Sequence, residues 1–247
     1  MKKLLCGAAL ALAVPTPAFA APGLGAEVYG ATVEAHEIEL EARYGRLTGG
    51  PDGGGDNARF EAAYGVTGNL KLATVVELER DPGGPRKATH LGFEAVYHLG
   101  KVAGIDVAAY QEFEIGLNGD HSGSETKLLL EKRTGPWDIR FNLIGEKPFD
   151  SHESLELGYA ASADVAVARR LRLGVTAFGD LGTFSHFGPA AEHYAGPVAK
   201  FRFPRADPDG DGDDDGGFVI EAGYLFAVGA TSHQTNGQFR LNLELEM

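Results

Sequence analysis

Cysteine is almost missing from this chain. Its 247 residues hold one, Cys6, so no disulfide framework can staple the fold. Basic residues are scarce, 22 Lys and Arg against 35 Asp and Glu, for a formal charge of −13. With no basic excess to displace counterions from a phosphate backbone, nucleic acid is excluded as a partner. Long apolar runs are lacking as well, and none approaches the ~20 residues of a membrane-spanning helix. There is no nucleotide-binding glycine motif, because Gly53-Gly54-Gly55 precedes a strand pattern rather than a helix. Glycine itself is abundant, 35 residues, about twice the usual share.

The first twenty residues read as an address. Lys2 and Lys3 precede an apolar stretch from Leu4 to Val14, Pro15 and Pro17 break it, and Ala18-Phe19-Ala20 supplies small residues at a cleavage site. This is the pattern of a secretory signal peptide, residues 1–20. Cleavage would remove Cys6 and leave residues 21–247 as a single cysteine-free domain whose stability comes from topology and packing.

That domain alternates with period two almost throughout. Glu37, Glu39, Glu41 and Arg43 interleave with Ile38, Leu40, Ala42 and Tyr44, which gives a strand one polar and one apolar face. The pattern returns over 59–66, 70–79, 90–99, 105–117, 125–131, 137–146, 155–164, 171–181, 195–203, 218–228 and 238–247, predicting twelve strands, with ten or fourteen as neighbouring counts. Turn formers such as Thr67-Gly68-Asn69 and Thr134-Gly135-Pro136 separate them, as antiparallel hairpins require. The fold class is all-β, an up-and-down antiparallel sheet. Two residues strain the pattern. Gln111 falls on the apolar parity, and Pro197 removes a ladder donor, which implies a bulge helped by Gly196.

Alternation alone leaves open which face meets solvent. A soluble β-sandwich would bury the apolar face between two sheets. A twelve-stranded soluble barrel would enclose a wide apolar void. A membrane barrel would turn the apolar face outward. Charge placement favours the last. On the polar parity twenty acids stand against nine bases, while the apolar parity carries only Arg80, Lys132 and Lys147, each at a strand end. In lipid a mid-strand Arg or Lys costs about 2–4 kcal/mol, falling toward zero at the interface. Tyr44, Phe60, Tyr64, Tyr97, Trp137, Phe201, Phe203, Tyr224, Phe226 and Phe239 share the apolar parity and mostly lie near strand ends, the level that Tyr and Trp prefer in a bilayer. Alternate connections are short, as at 67–69 and 133–136, and longer, as at 48–57 and 182–192; the connection 204–217 breaks this rule, being long on the side of the short turns.

With the leader, the twelve alternating segments and the terminal strand Phe239, Leu241, Leu243, Leu245, Met247, the chain resembles Gram-negative outer-membrane β-barrel proteins. Among these it is similar to small twelve-stranded porins and to barrels grouped with transporters of aromatic-degradation pathways. The resemblance implies a transmembrane β-barrel in the bacterial outer membrane, contact with outer-membrane lipid, and a last strand recognised by the barrel assembly machinery. It also implies short turns in the periplasm and passive passage of small solutes rather than catalysis. Where the family usually closes on an aromatic residue, this chain ends on Met247.

The polar face then lines a lumen. Its acids include Glu39, Glu41, Glu61, Glu77, Glu94, Glu112, Glu114, Asp180 and Glu221, and its bases Arg43, Arg59, Lys71, Lys127, Arg140, Arg172 and Arg240. An acidic water-filled bore attracts cations. The opposing expectation is a network of cross-strand ion pairs that closes the lumen and makes the barrel structural or adhesive. Tyr110, Leu129, Ile144, Phe178 and Leu225 sit on the polar parity and narrow the bore. His121, His152, His186 and His233 in longer connections, with His90 and His193 nearby, offer imidazoles for metal capture. Asp207, Asp209, Asp211 and Asp215 match the spacing of a Ca²⁺ loop with Gly212 at its turn, but Phe218 stands where a bidentate Glu is expected. His152 and Ser154 form a hydrolase-like pair without an acid partner.

Overall fold

The alternating segments form one closed ring. The computed structural model describes residues 23–149, 154–188, 192–204 and 217–247. Its strands are β1 (Ile38–Thr48), β2 (Asp56–Thr67), β3 (Leu70–Arg80), β4 (Lys87–Val102), β5 (Ile105–Gly116), β6 (Gly123–Thr134), β7 (Trp137–Pro148), β8 (Glu156–Ala168), β9 (Leu171–Thr183), β10 (His186–Phe187), β11 (His193–Pro204), β12 (Gly217–Ala227) and β13 (Gly237–Glu246). β10 is a two-residue extension of the β9 hairpin. The other twelve each pair antiparallel with their neighbours in the chain, β9 passing directly to β11. β13 returns to β1, with Leu40 opposite Leu245 and Tyr44 opposite Leu241. No strand edge is left open along the ring, which is what a spanning sheet needs in lipid. Each of the twelve expected strands is present, with ends moved by a few residues.

Burial runs opposite to that of a soluble protein. Ile38 and Leu40 are 43% and 42% exposed, whereas Glu41 and Arg43, on the other face of the same strand, are 4% and 3% exposed. Phe60, Tyr64, Tyr97, Phe113, Trp137, Phe141, Phe203 and Phe226 all stand on the outer surface. A sandwich would bury that face against a second sheet; here the described strands belong to a single sheet, so the sandwich is excluded. Gln111 stays on the outer face because its amide is satisfied locally. It donates to the carbonyls of Glu112 and Glu125 at 2.9 and 3.0 Å and accepts from the Thr126 hydroxyl at 2.7 Å.

The bulge expected at Pro197 is not there. Ala195 pairs with Phe226 and Val198 with Gly223, so the register is the same on both sides, and only residues 196 and 197 drop out of the β11–β12 ladder. Gly196 makes this possible, because a side chain there would run into the Tyr224 carbonyl. The register shifts fall elsewhere, at Gly65/Thr67, Glu77/Leu78, His98/Gly100, Leu157/Gly158 and Ala166/Ala168.

The interior holds something that alternation did not announce. Residues 23–37 run through the ring. The amide of Ala26 donates to Gly23, and the Leu24 carbonyl accepts from Arg240 in the half where β1 ends. The Tyr29 backbone meets Asn142 midway, and His36 donates to the Gly65 carbonyl at the other end. His36, at φ 70°, lets the chain reverse there into β1. Two inward glycines make room for this passage. A Cβ on Gly45 would collide with the Leu24 backbone, and one on Gly65 with the Glu34 carbonyl.

Candidate functional site

The interior of the ring is the candidate site, and its chemistry starts from the pairing register. Like charges fall directly opposite one another, Glu41 across from Glu61, Arg43 from Arg59, and Glu94 from Glu112. Such pairs repel when left alone. The long arginines resolve this by reaching diagonally. Arg43 contacts Glu61 at 2.6 Å, Glu27 at 3.0 Å and Glu41 at 3.2 Å. Arg59 contacts Glu112 at 2.6 Å and Glu94 at 2.7 Å. Glu27, Glu41 and Glu61 are the one trio of close potential metal ligands among the described residues, and the Arg43 guanidinium sits among them.

Around these pairs an aromatic layer grips the passing segment. Tyr29 packs on Tyr110 with ring centroids 4.8 Å apart, and the Lys127 ammonium lies 4.2 Å from each ring. Lys127 also pairs with Glu125 at 2.7 Å, and the Tyr110 hydroxyl donates to Glu112 at 2.7 Å. The Asn142 side chain completes a two-way bond to the Tyr29 backbone, accepting at 2.8 Å and donating at 3.0 Å. The Ala31 amide donates to Glu131 at 2.8 Å. Such buried backbone groups would be costly unpaired; here each meets a wall side chain.

The two halves of the bore differ. Toward the longer connections it is packed. Ile144, Ala160, Phe178, Tyr194, Val198 and Leu225 form a buried cluster with Ala26 and Val28 against it, and Arg240 lies over Phe178 at 4.3 Å. Tyr110, Leu129, Ile144, Phe178 and Leu225 are each at most 2% exposed, so the residues expected to narrow the bore do fill it. At the rim Asp56 takes both Arg80 and Arg86. The short helix Gly229–His233 and its exit sit over this end, with Thr231 and Thr235 buried. Toward the short turns a cavity of about 500 Å³ opens, with Glu37, Glu39, Lys71, Trp137, Arg170 and Glu246 among its walls.

The other lumen candidates also point inward. Glu39 pairs with Lys71 at 2.9 Å, Arg140 with Asp138 at 3.0 Å, Glu221 with Lys200 at 3.1 Å, and Arg172 with Asp164. Glu77 accepts from Asn57 at 2.6 Å and faces His90 at 3.3 Å. Glu114 lies on the inward parity opposite Gly92 and Gly123, and Asp180 is buried and accepts from the Gly182 amide at 2.5 Å. The described histidines of the long-connection mouth form no shared ligand cluster. His90 serves Glu77, His193 lies 3.5 Å from the Tyr159 hydroxyl, and His186 contacts Ser185. The leader, His152 and the acidic run Asp207, Asp209, Asp211 and Asp215 lie outside the described residues.

Sequence reasoning missed Glu27, Tyr29, Ala31, Arg133 and Asn142. Residues 23–37 are too irregular to read as a strand. The available signal was the pair of glycines, Gly45 and Gly65, on the parity that carries Glu39, Glu41, Arg43, Arg59 and Glu61.

A closed ring of twelve antiparallel strands, apolar outside and charged inside, defines the outer-membrane β-barrel class. No family model matches the chain, and no curated protein matches it. Among solved structures it is similar to a KdgM porin, with TM-score 0.53 and 10% identity over 85% of this chain and 98% of that one. It is similar to the NanC porin, with TM-score 0.51 and 10% identity over 83% and 98%. An outer-membrane channel from Pseudomonas putida F1 matches with TM-score 0.52 and 13% identity over 87% and 96%. At such identities the likeness is one of fold.

Proposed function

We propose that this protein is a porin-like channel of the bacterial outer membrane that passes small solutes passively and prefers cations. The observation that carries the reading is a charged wall turned inward around a bore that widens to about 500 Å³ at one end, inside a ring whose outer face is apolar. Cation preference rests on the half with longer connections, where Glu77, Glu79, Glu114, Glu125 and Glu146 share the wall with His90 and Lys127. Short turns face the periplasm in this class, which puts the cavity on the periplasmic side. The final strand, β13, would be the segment presented to the assembly machinery. Residues 23–37 set the bore of the resting state, and solutes pass where this segment yields. No catalytic group is assigned.

Planar-bilayer recording of the purified full chain in a KCl gradient tests the reading. Channels with a reversal potential on the cation side are expected. Anion selectivity overturns the preference, and silence in both the full chain and a variant lacking residues 23–36 overturns passage.

One observation favours a second reading, a permanently closed structural barrel. The two-way bond between Tyr29 and Asn142 fixes the segment at its middle. In that case replacement of Arg43, Arg140 and Arg172 lowers thermal stability while the protein stays silent in bilayers.

A further inference from the structure

The periplasmic cavity carries an excess of base on one side and of acid on the other, with Asp138 and Asp164 among the bases and Lys71 among the acids. The β6–β7 turn, the β8–β9 turn and the end of β11 bring Arg133, Arg169, Arg170, Arg172 and Arg202 to one arc of its wall. The entering segment and the adjoining strands β1 and β13 bring Glu34, Glu37, Glu39, Glu244 and Glu246 to another. β8 lies five strands round the ring from β1 by way of β13 and seven by way of β2, so the two arcs face each other.

Where acid and base are neighbours at this mouth they have already paired, as Lys71 has with Glu39 at 2.9 Å and Arg202 with Glu246 at 2.5 Å. Arg133 is held by Glu131 at 2.7 Å and Arg172 by Asp164. Arg169 and Arg170 have no acidic partner within 4 Å among the described residues, and neither Glu34 nor Glu37 has a basic one. All four line the cavity. Their turn is not loose, because the Arg202 amide donates to the Arg170 carbonyl at 3.0 Å.

A simple anion entering this space meets attraction from one side and repulsion from the other, and so does a simple cation. A solute carrying both charges, one at each end, gains from both walls at once and aligns across the cavity. The volume falls in the usual range for small-molecule sites. We propose that this vestibule binds small zwitterions, with their carboxylate toward Arg169 and Arg170 and their ammonium toward Glu34 and Glu37. The proposal rests on the channel reading for its biological use, not for its binding chemistry.

The test is isothermal titration of the detergent-solubilised full chain with three probes of similar length, 6-aminohexanoate, hexanoate and hexylammonium. Binding of 6-aminohexanoate is expected to be about tenfold tighter than that of either single-charge probe, a difference of about 1.4 kcal/mol, and to weaken as salt is raised. The double variant Arg169→Ala/Arg170→Ala should reduce it to the level of hexylammonium, and Glu34→Gln/Glu37→Gln to the level of hexanoate. All four residues lie at the mouth, outside the packed half. Equal binding of the three probes overturns the proposal, as does binding that neither variant changes. Bilayer recordings on the same sample separate the two readings. Conduction without selective binding removes the vestibule and keeps the channel, and selective binding without conduction does the reverse.

Discussion

The two halves of the bore use one architecture for opposite ends. Toward the long connections the inward positions carry Phe178, Leu225, Ile144 and Tyr194 along with the charged residues, and the entering segment adds Ala26 and Val28. That half is a core that happens to lie inside a barrel. Toward the short turns a second buried cluster sets Val96, Ala108 and Leu129 against Ala31, but charged residues hold much of the remaining wall and a cavity of about 500 Å³ is left. A twelve-strand ring is too wide for its own side chains to fill evenly. The difference shows how the chain handles that width, closing one half with apolar residues and a borrowed segment and leaving the other only partly filled around a charged cavity. Between the halves lies the belt of Arg43, Arg59 and their carboxylates, which fastens the segment to the wall.

The comparison is broken most directly by deleting residues 23–36. If the packed half is what closes the bore, single-channel conductance should rise several-fold; an unchanged conductance would mean that the wall side chains alone close it. Next comes the belt. Arg43→Met strands Glu27, Glu41 and Glu61 without their cation, and removing one partner of a buried pair typically costs about 3–5 kcal/mol. Thermal denaturation in detergent should show a large fall in Tm, and a shift of a degree or two would demote the belt to decoration. On the outer surface Leu128→Arg, in mid-strand opposite Ala109 and Leu143, should destabilise the folded barrel in lipid by about 2–4 kcal/mol. Trp137→Arg, at a strand end, should cost about 0–1 kcal/mol. Equal losses, read by urea titration in vesicles, would contradict the inferred bilayer level. A comparably small effect is expected on the outer face near the long-connection rim. Tyr224→Phe loses the 2.6 Å hydroxyl contact with Thr48 and should cost about 1 kcal/mol.

The ring was legible because its signal is repeated. Each strand states the same alternation, and a charge in the wrong parity, such as Arg80 or Lys147, appears only at an end. The narrowing residues were legible for the same reason, being apolar where their neighbours are charged. Pro197 misled because a missing donor suggests a shifted register; the ladder instead skips two residues and resumes, with Gly196 giving the neighbouring strand room. The entering segment was illegible because nothing within residues 23–37 repeats. Its position depends on single partners far away in sequence, Asn142 for Tyr29 and Glu131 for Ala31, and no local pattern carries that information. The split between filled and open halves was hidden too, since it follows from how far each inward residue stands along the axis.

Residues 23–37 lead straight into β1, and β1 zips to β13, the last described strand in chain order. The seam therefore joins the beginning of the sheet to its end, around a thread already attached to one lip. Sealing the seam first would leave a folded Tyr29 and its neighbours to be pushed down a tube already crowded with arginines. A thread laid along the inner surface while the sheet is still an open curl avoids that passage, the curl then rolling shut over it like a sleeve over an arm.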